Sequence, residues 1–171
     1  TFISQIGNIQ TEVSNDFLPE QDRKLFPDNK AAENMLQLIQ KLQAESDSIG
    51  GIIQCRVKGL PVGLGAPVYN KLNSALAAAM FSINAVKGFE IGRGFQAAQM
   101  QGSQYNDQMT VKDGQPKFLT NNDGGVQAGI SNGNMLQFNV AFKPPSSIGK
   151  NQSTVNLQNQ QQNITITGRH D

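Results

Sequence analysis

The sequence predicts an α+β fold, and three observations predict it. Several stretches alternate apolar and polar residues with period two, as a strand covered on one face does. Others place apolar residues at helical spacing. The two kinds interleave without the even βαβ spacing of a doubly wound parallel sheet, and no short repeat runs through the chain. A chain of 171 residues has the size of one domain and buries a real core, so 1–171 is expected to form a single domain.

Taken in order, Phe2, Ile3, Ile6 and Ile9 place a short strand over 2–9. Residues 10–29 are polar, broken by Pro19 and Pro27, and read as a connector. Asp28 or Asn29 then caps a helix over 30–46, with Met35, Leu38, Ile39 and Leu42 as its buried stripe. It ends near Gly50 and Gly51. Over 52–58, Ile53, Cys55 and Val57 share one face of a strand, and Gln54, Arg56 and Lys58 share the other. Residues 59–67 hold too much glycine and proline for a regular element. The stripe of Leu72, Ala75, Leu76, Ala79, Met80 and Ile83 predicts a helix over 68–83, whose alanines allow close approach to a neighbour. A strand over 85–91 stops at Gly92-Arg93-Gly94. Residues 95–120, rich in glutamine and asparagine, are expected as a mobile loop long enough to act as a lid, with a turn at Lys112-Asp113-Gly114. A strand over 135–142 follows, then a polar stretch at 148–162. Alternation returns over 163–167, with Ile164 and Ile166 on one face.

Composition narrows the function classes. Apolar residues make up 37% and charged residues 16%, both low, and the net charge of +1 gives no reason to propose a nucleic-acid partner. The charge is uneven. Residues 1–47 carry eight acids and four bases, a net of −4, whereas 48–171 carry five acids and ten bases, a net of +5. The basic part holds the glycine motifs, which suits a doubly anionic ligand, although solvated lysines give the same count. Cys55 is the single cysteine, so no internal disulfide forms and a reducing, cytoplasmic location is expected. In a strand pattern it reads as a small buried apolar residue. No apolar run reaches membrane-span length, no signal peptide is visible, and no metal site is predicted. The chain opens at Thr1 without an initiator methionine and closes at Asp171 inside a motif, so it is expected to be an internal piece of a longer protein.

The most informative stretch is 121–147. A loop with Gly124, Gly125, Gly129 and Gly133 leads into the strand of Leu136, Phe138, Val140 and Phe142, and Lys143-Pro144-Pro145-Ser146-Ser147 stops it. Glycines let a backbone pass close to a ligand, and a lysine with paired hydroxyls held by prolines suits an anionic group. The same residues also fit a hairpin followed by a surface turn.

This stretch resembles the central signature of the chorismate synthase family. The likeness extends to Ser48-Ile49-Gly50-Gly51, to Gly59-Leu60-Pro61-Val62-Gly63-Leu64-Gly65, to the run from Ser82 through Asn84, Ala85 and Gly88 to Gly92, and to Gly168-Arg169-His170-Asp171. The motifs stand in family order over nearly the whole chain. The resemblance implies part of a β-α-β sandwich, about half of a subunit that assembles as a homotetramer at full length. It implies a lyase of the shikimate pathway that converts 5-enolpyruvylshikimate 3-phosphate to chorismate and phosphate, with reduced FMN as cofactor and NADP as an associated nucleotide.

It also implies roles. Arg169 would grip a carboxylate or phosphate through paired hydrogen bonds, which lysine cannot imitate, and Asp171 would assist proton removal near the flavin N5. His170 would orient the loop. Taken alone, that triplet is a solvated turn. Asn84 and Ala85 would offer polar groups to the flavin, although asparagine there is also an ordinary helix end. Ala128, with Gly129, would pass beside the isoalloxazine ring. Lys143, Pro144, Pro145, Ser146 and Ser147 would hold the ribityl phosphate and the polar edge of the ring, with Arg169 closing over it.

Several positions depart from the family pattern. Ala66 stands where glutamate is usual, and Asn70 and Asn73 replace residues that are often acidic or otherwise polar. Asp123 replaces a small neutral residue, Ala128 a glycine and Pro145 a threonine. Asp123 is expected to repel an anionic flavin, and Ala128 to cost little unless its position requires positive φ. The family's two catalytic histidines are not present in a chain with one histidine, so no independent turnover is expected. A catalytically incomplete FMN-binding or oligomerisation fragment is the second reading. An unrelated phosphate-binding module is the third.

Overall fold

The structure, a computed structural model, describes residues 1–13 and 25–167. Helices and strands interleave as an α+β fold. The elements are β1 (Phe2–Ile6), β2 (Ile9–Gln10), α1 (Asn29–Ala44), β3 (Gly51–Val57), α2 (Leu72–Phe81) and β4 (Val86–Ile91). A 3-10 helix (Gly94–Gln99) and α3 (Gly102–Tyr105) come next. They are followed by β5 (Met109–Lys112), β6 (Gln115–Phe118), β7 (Val126–Gln127), β8 (Ile130–Ser131), β9 (Leu136–Phe142), β10 (Gln152–Val155) and β11 (Gln161–Ile164). The main sheet has the order β2-β1-β3-β9-β4, and β5-β6, β7-β8 and β10-β11 form separate pairs. The chain divides into two compact units, Thr1–Phe2 with Ile53–Ala141, and Ile3–Ile52 with Phe142–Asp171.

In the first unit, Leu136, Phe138 and Val140 of β9 are buried together with Phe2, Val86 and Val126. Each such side chain contributes about 1.5–3 kcal/mol on burial. The alternation read from the sequence is therefore correct for β9, and the Phe89 ring leans on Phe138 at 5.4 Å. On the opposite face, polar side chains link across strands. Arg56 Nε donates to Gln54 Oε1 (2.8 Å), Gln54 Nε2 to Asn139 Oδ1 (2.9 Å), and Asn139 Nδ2 to Glu90 Oε1 (2.9 Å). Cys55 is half-buried, and burial pushes its thiol pKa up, so it is a poor nucleophile.

Two expectations fail in this unit. The helix over 68–83 shrinks to α2, because Asn70 takes φ +58° and Lys71 is extended, which stops a regular first turn. None of its residues is buried, and Val68, Tyr69, Phe81 and Ile83 stay exposed. Residues 95–120 are not a structureless loop. They hold the 3-10 helix, α3 and the β5-β6 hairpin, which turns at Asp113 and Gly114, both with positive φ as a tight hairpin requires.

In the second unit, Asp28 caps α1 by accepting from the Lys30 and Ala31 amides at 2.9 and 3.2 Å. Met35 is fully buried, while Leu38, Ile39 and Leu42 are half-buried. The single strand expected over 2–9 is instead a hairpin, since Gly7 at φ +56° turns the chain and pairs Ile6 with Ile9. The polar stretch 148–162 contains β10 and the start of β11, joined by a turn in which Asn156 accepts from the amides of Gln158 and Gln160. The last strand runs over Gln161–Ile164 rather than 163–167.

Candidate functional site

The glycine loop of the first unit closes on itself. Ala128 and Gly129 form the two-residue corner between β7 and β8, with φ +51° and +82°. The Gly129 carbonyl accepts the Leu72 amide at 2.8 Å, so this corner caps the start of α2. At Gly125 (φ +84°) an added Cβ would stand 2.7 Å from the Met135 carbonyl oxygen, which explains why no side chain is carried there. Ser131, 1% exposed, ties the hairpin to the 61–65 loop. Its Oγ donates to the Pro61 carbonyl (2.6 Å) and accepts the Leu64 amide (2.9 Å). Asn122, 2% exposed, receives Arg93 Nε at 2.9 Å and donates to the Tyr105 carbonyl at 2.8 Å. Asp107 accepts from the Thr120 hydroxyl and from the amides of Asn122 and Asp123. Sequence reasoning missed these three organisers. For Ser131 and Asn122 the one signal is a polar residue set in glycine-rich backbone, where bare amides and carbonyls need partners; Asp107 carries no such signal.

Asn84 and Ala85 sit in the exposed turn between α2 and β4, and Ala85 has φ +69°. The only two alanines with positive φ among the described residues are thus Ala85 and Ala128, both predicted site residues. Strained backbone of this kind concentrates at functional sites.

The second unit holds the turn that follows β9. Lys143, Pro144, Pro145 and Ser146 are exposed and Ser147 is half-buried. Lys143 Nζ stands 3.4 Å from Ser146 Oγ. Neither the Ser146 nor the Ser147 amide has a partner among the described residues. Pro145 and Ser147 line a cleft of about 440 Å³ together with Ser46, Ser48, Ile166 and Thr167. That volume lies in the range of small-ligand sites. At its wall Lys150 pairs with Asp47 at 2.6 Å, and their hydrogen bond holds the Asp47 carboxyl below and the Lys150 ammonium above their usual ranges. The pair cancels the carboxylate's charge beside the turn. An ammonium, hydroxyls and free amides are the donors a phosphate monoester needs, so the turn fits the phosphate end of FMN. Arg169, His170 and Asp171 lie outside the described residues.

The family model for chorismate synthase matches residues 1–171. The chain belongs to the chorismate synthase family. It is 46% identical over 176 residues to the chorismate synthase of Porphyromonas gingivalis, covering 99% of this chain and 48% of that protein. Identity to the chorismate synthase of Lachnospira eligens is 44% over 172 residues, covering 99% and 47%. A solved structure, "Crystal Structure of Chorismate Synthase", matches with a TM-score of 0.74 at 32% identity, over 84% of this chain and 48% of that one. The chain spans about half the length of the curated relatives it matches.

Within the chorismate synthase motifs, three departures gain a physical account. The Asp123 carboxylate is engaged by the Tyr105 hydroxyl (2.8 Å) and Gln127 Nε2 (3.0 Å), so its charge is met by donors. Ala128 does occupy a positive-φ position, where alanine is strained and glycine is not. Asn70 suits its left-handed backbone better than most residues would. Nothing in the structure explains Ala66. Among the described residues no helix is long and apolar enough to cross a membrane.

Proposed function

We propose that this chain is part of a chorismate synthase subunit, a lyase that converts 5-enolpyruvylshikimate 3-phosphate to chorismate and phosphate. In that reaction the carbon–oxygen bond to phosphate breaks and a ring proton leaves from the opposite face. Reduced FMN, when bound, supplies an electron-rich ring for this elimination without net redox change. Lys143 with the hydroxyls and amides of Ser146 and Ser147 receives the ribityl phosphate, between prolines that limit the turn's freedom. The backbone at Asn84, Ala85 and Ala128 borders the flavin ring. Arg169 grips an anionic group of the substrate, and Asp171 takes part in proton removal. The full-length subunit acts as a homotetramer in the cytoplasm.

The observation that carries this reading is the turn of the second unit, where Lys143 Nζ stands 3.4 Å from Ser146 Oγ and the Ser146 and Ser147 amides have no partner among the described residues. Its Pro145 and Ser147 also line the cleft shared with Ile166 and Thr167, just ahead of Arg169 in sequence. A second reading is favoured by the half-length match and the single histidine, namely an FMN-binding or oligomerisation piece without turnover of its own. An anaerobic assay with reduced FMN, following chorismate absorbance, separates the two. A full-length subunit carrying this sequence is expected to form chorismate, and this chain alone to form none while still quenching FMN fluorescence. Failure of both proteins to bind FMN would refute the first reading and the FMN-binding form of the second.

A further inference from the structure

The turn over 143–147 is held in shape by a loop distant in sequence. Ser48 Oγ donates to the Pro145 carbonyl at 2.6 Å, and Asp47 fixes Ser48 in turn by accepting its amide at 2.8 Å. The Gly149 amide donates to the Ser46 carbonyl at 3.1 Å, and Lys150 closes on Asp47. At Gly50 an added Cβ would stand 2.6 Å from the Phe142 carbonyl oxygen and 3.1 Å from Pro144 Cδ. The loop thus lies close against the start of the turn and is bonded to its middle and to the residues just after it.

The Ser48 bond also sets a direction. No cis peptide bond occurs among the described residues, and across a trans peptide the carbonyl and the following N–H point opposite ways. Drawing the Pro145 carbonyl toward Ser48 therefore turns the Ser146 N–H away from the loop. That amide is without a partner among the described residues, and its own side chain is the one beside Lys143 Nζ. Without the Ser48 bond the Pro145–Ser146 peptide is free to rotate, and a donor preset for an anion is lost.

We propose that Ser48 is a positioning residue for phosphate recognition at this turn. It acts through Pro145 and presets the Ser146 N–H for the same phosphate that Lys143 neutralises. The proposal rests on the flavin reading above and adds to it the residue that favours a phosphorylated flavin over an unphosphorylated one.

The test titrates a full-length subunit carrying this sequence with FMN and with riboflavin, following flavin fluorescence. Ser48→Ala is expected to weaken FMN binding about five- to tenfold, the worth of one preset hydrogen bond, and to leave riboflavin binding unchanged. Ser48→Thr, which keeps the hydroxyl, is expected to restore FMN affinity to within about twofold. Equal loss of FMN and riboflavin affinity in Ser48→Ala would mean a general structural role and overturn the proposal. So would unchanged FMN affinity, or failure of Ser48→Thr to rescue. If the unsubstituted full-length subunit binds neither flavin, or binds both alike, the phosphate reading of the turn itself is wrong and the proposal goes with it.

Discussion

Ala85 and Ala128 hold left-handed backbone without a side chain that can compensate for it locally. Such an alanine costs about 1–2 kcal/mol, partly offset in a replacement by glycine's greater freedom when unfolded. Ala128→Gly is therefore expected to stabilise the chain by about 1 kcal/mol, read as a higher urea midpoint at unchanged slope. A lower midpoint would show that the Ala128 methyl makes a contact worth more than the strain. Tyr105 offers a second residue-scale prediction. Burial first, and then its bond to the Asp123 carboxylate, push its phenol pKa up to about 12. A phenol whose folded pKa lies above its unfolded value of 10 adds stability below pH 10 and loses it as pH rises towards about 12. In a Tyr69→Phe background, ultraviolet titration is expected to show phenolate forming near the upper value, and Asp123→Asn to bring the midpoint down. Titration near pH 10 before that substitution would mean that Tyr105 and Asp123 are not bonded.

Among the elements, α2 is the odd one. Its sequence is almost wholly apolar, yet no residue in it is buried, and Phe81 and Ile83 are 53% and 45% exposed. A bare apolar helix drives association. The isolated chain is expected to sediment as concentration-dependent oligomers, and Phe81→Ser with Ile83→Ser to shift it towards monomer; identical profiles would show that α2 takes no part. The contrast with α1 also shows what the sequence could reveal. Asp28 and the stripe at Met35 are local features, so α1 was legible almost to its ends. Asn70 prefers turns only on average, and its positive φ here, which cuts the first turn from α2, is set by its surroundings. The pair β10-β11 was hidden because both its faces are largely exposed and polar, which leaves no period to read. At the site, Lys143 to Ser147 stood out through its prolines. The brace did not, because Ser48 and Pro145 are 97 positions apart and no local pattern joins them.

For the molecule as a whole, the proposed division of labour is that one anionic ligand is held by the turn after β9 and the other by Arg169. The first set consists of a lysine, hydroxyls and amides, which meet a terminal phosphate from several directions. The second is a guanidinium, whose rigid fork suits a carboxylate or phosphate held side-on. These sets are chemically independent, so removing one should spare the other. In a full-length subunit carrying this sequence, Arg169→Ala is expected to weaken 5-enolpyruvylshikimate 3-phosphate about thirtyfold, as loss of a charge-assisted pair does. FMN affinity, measured separately by fluorescence, should change by less than about threefold, since the phosphate donors at Lys143, Ser146 and Ser147 are left in place. Lys143→Ala should show the reverse preference. Equal losses of both ligands in Arg169→Ala would mean that this arginine does not distinguish substrate from flavin, and the assignment of substrate alone to it would have to be abandoned.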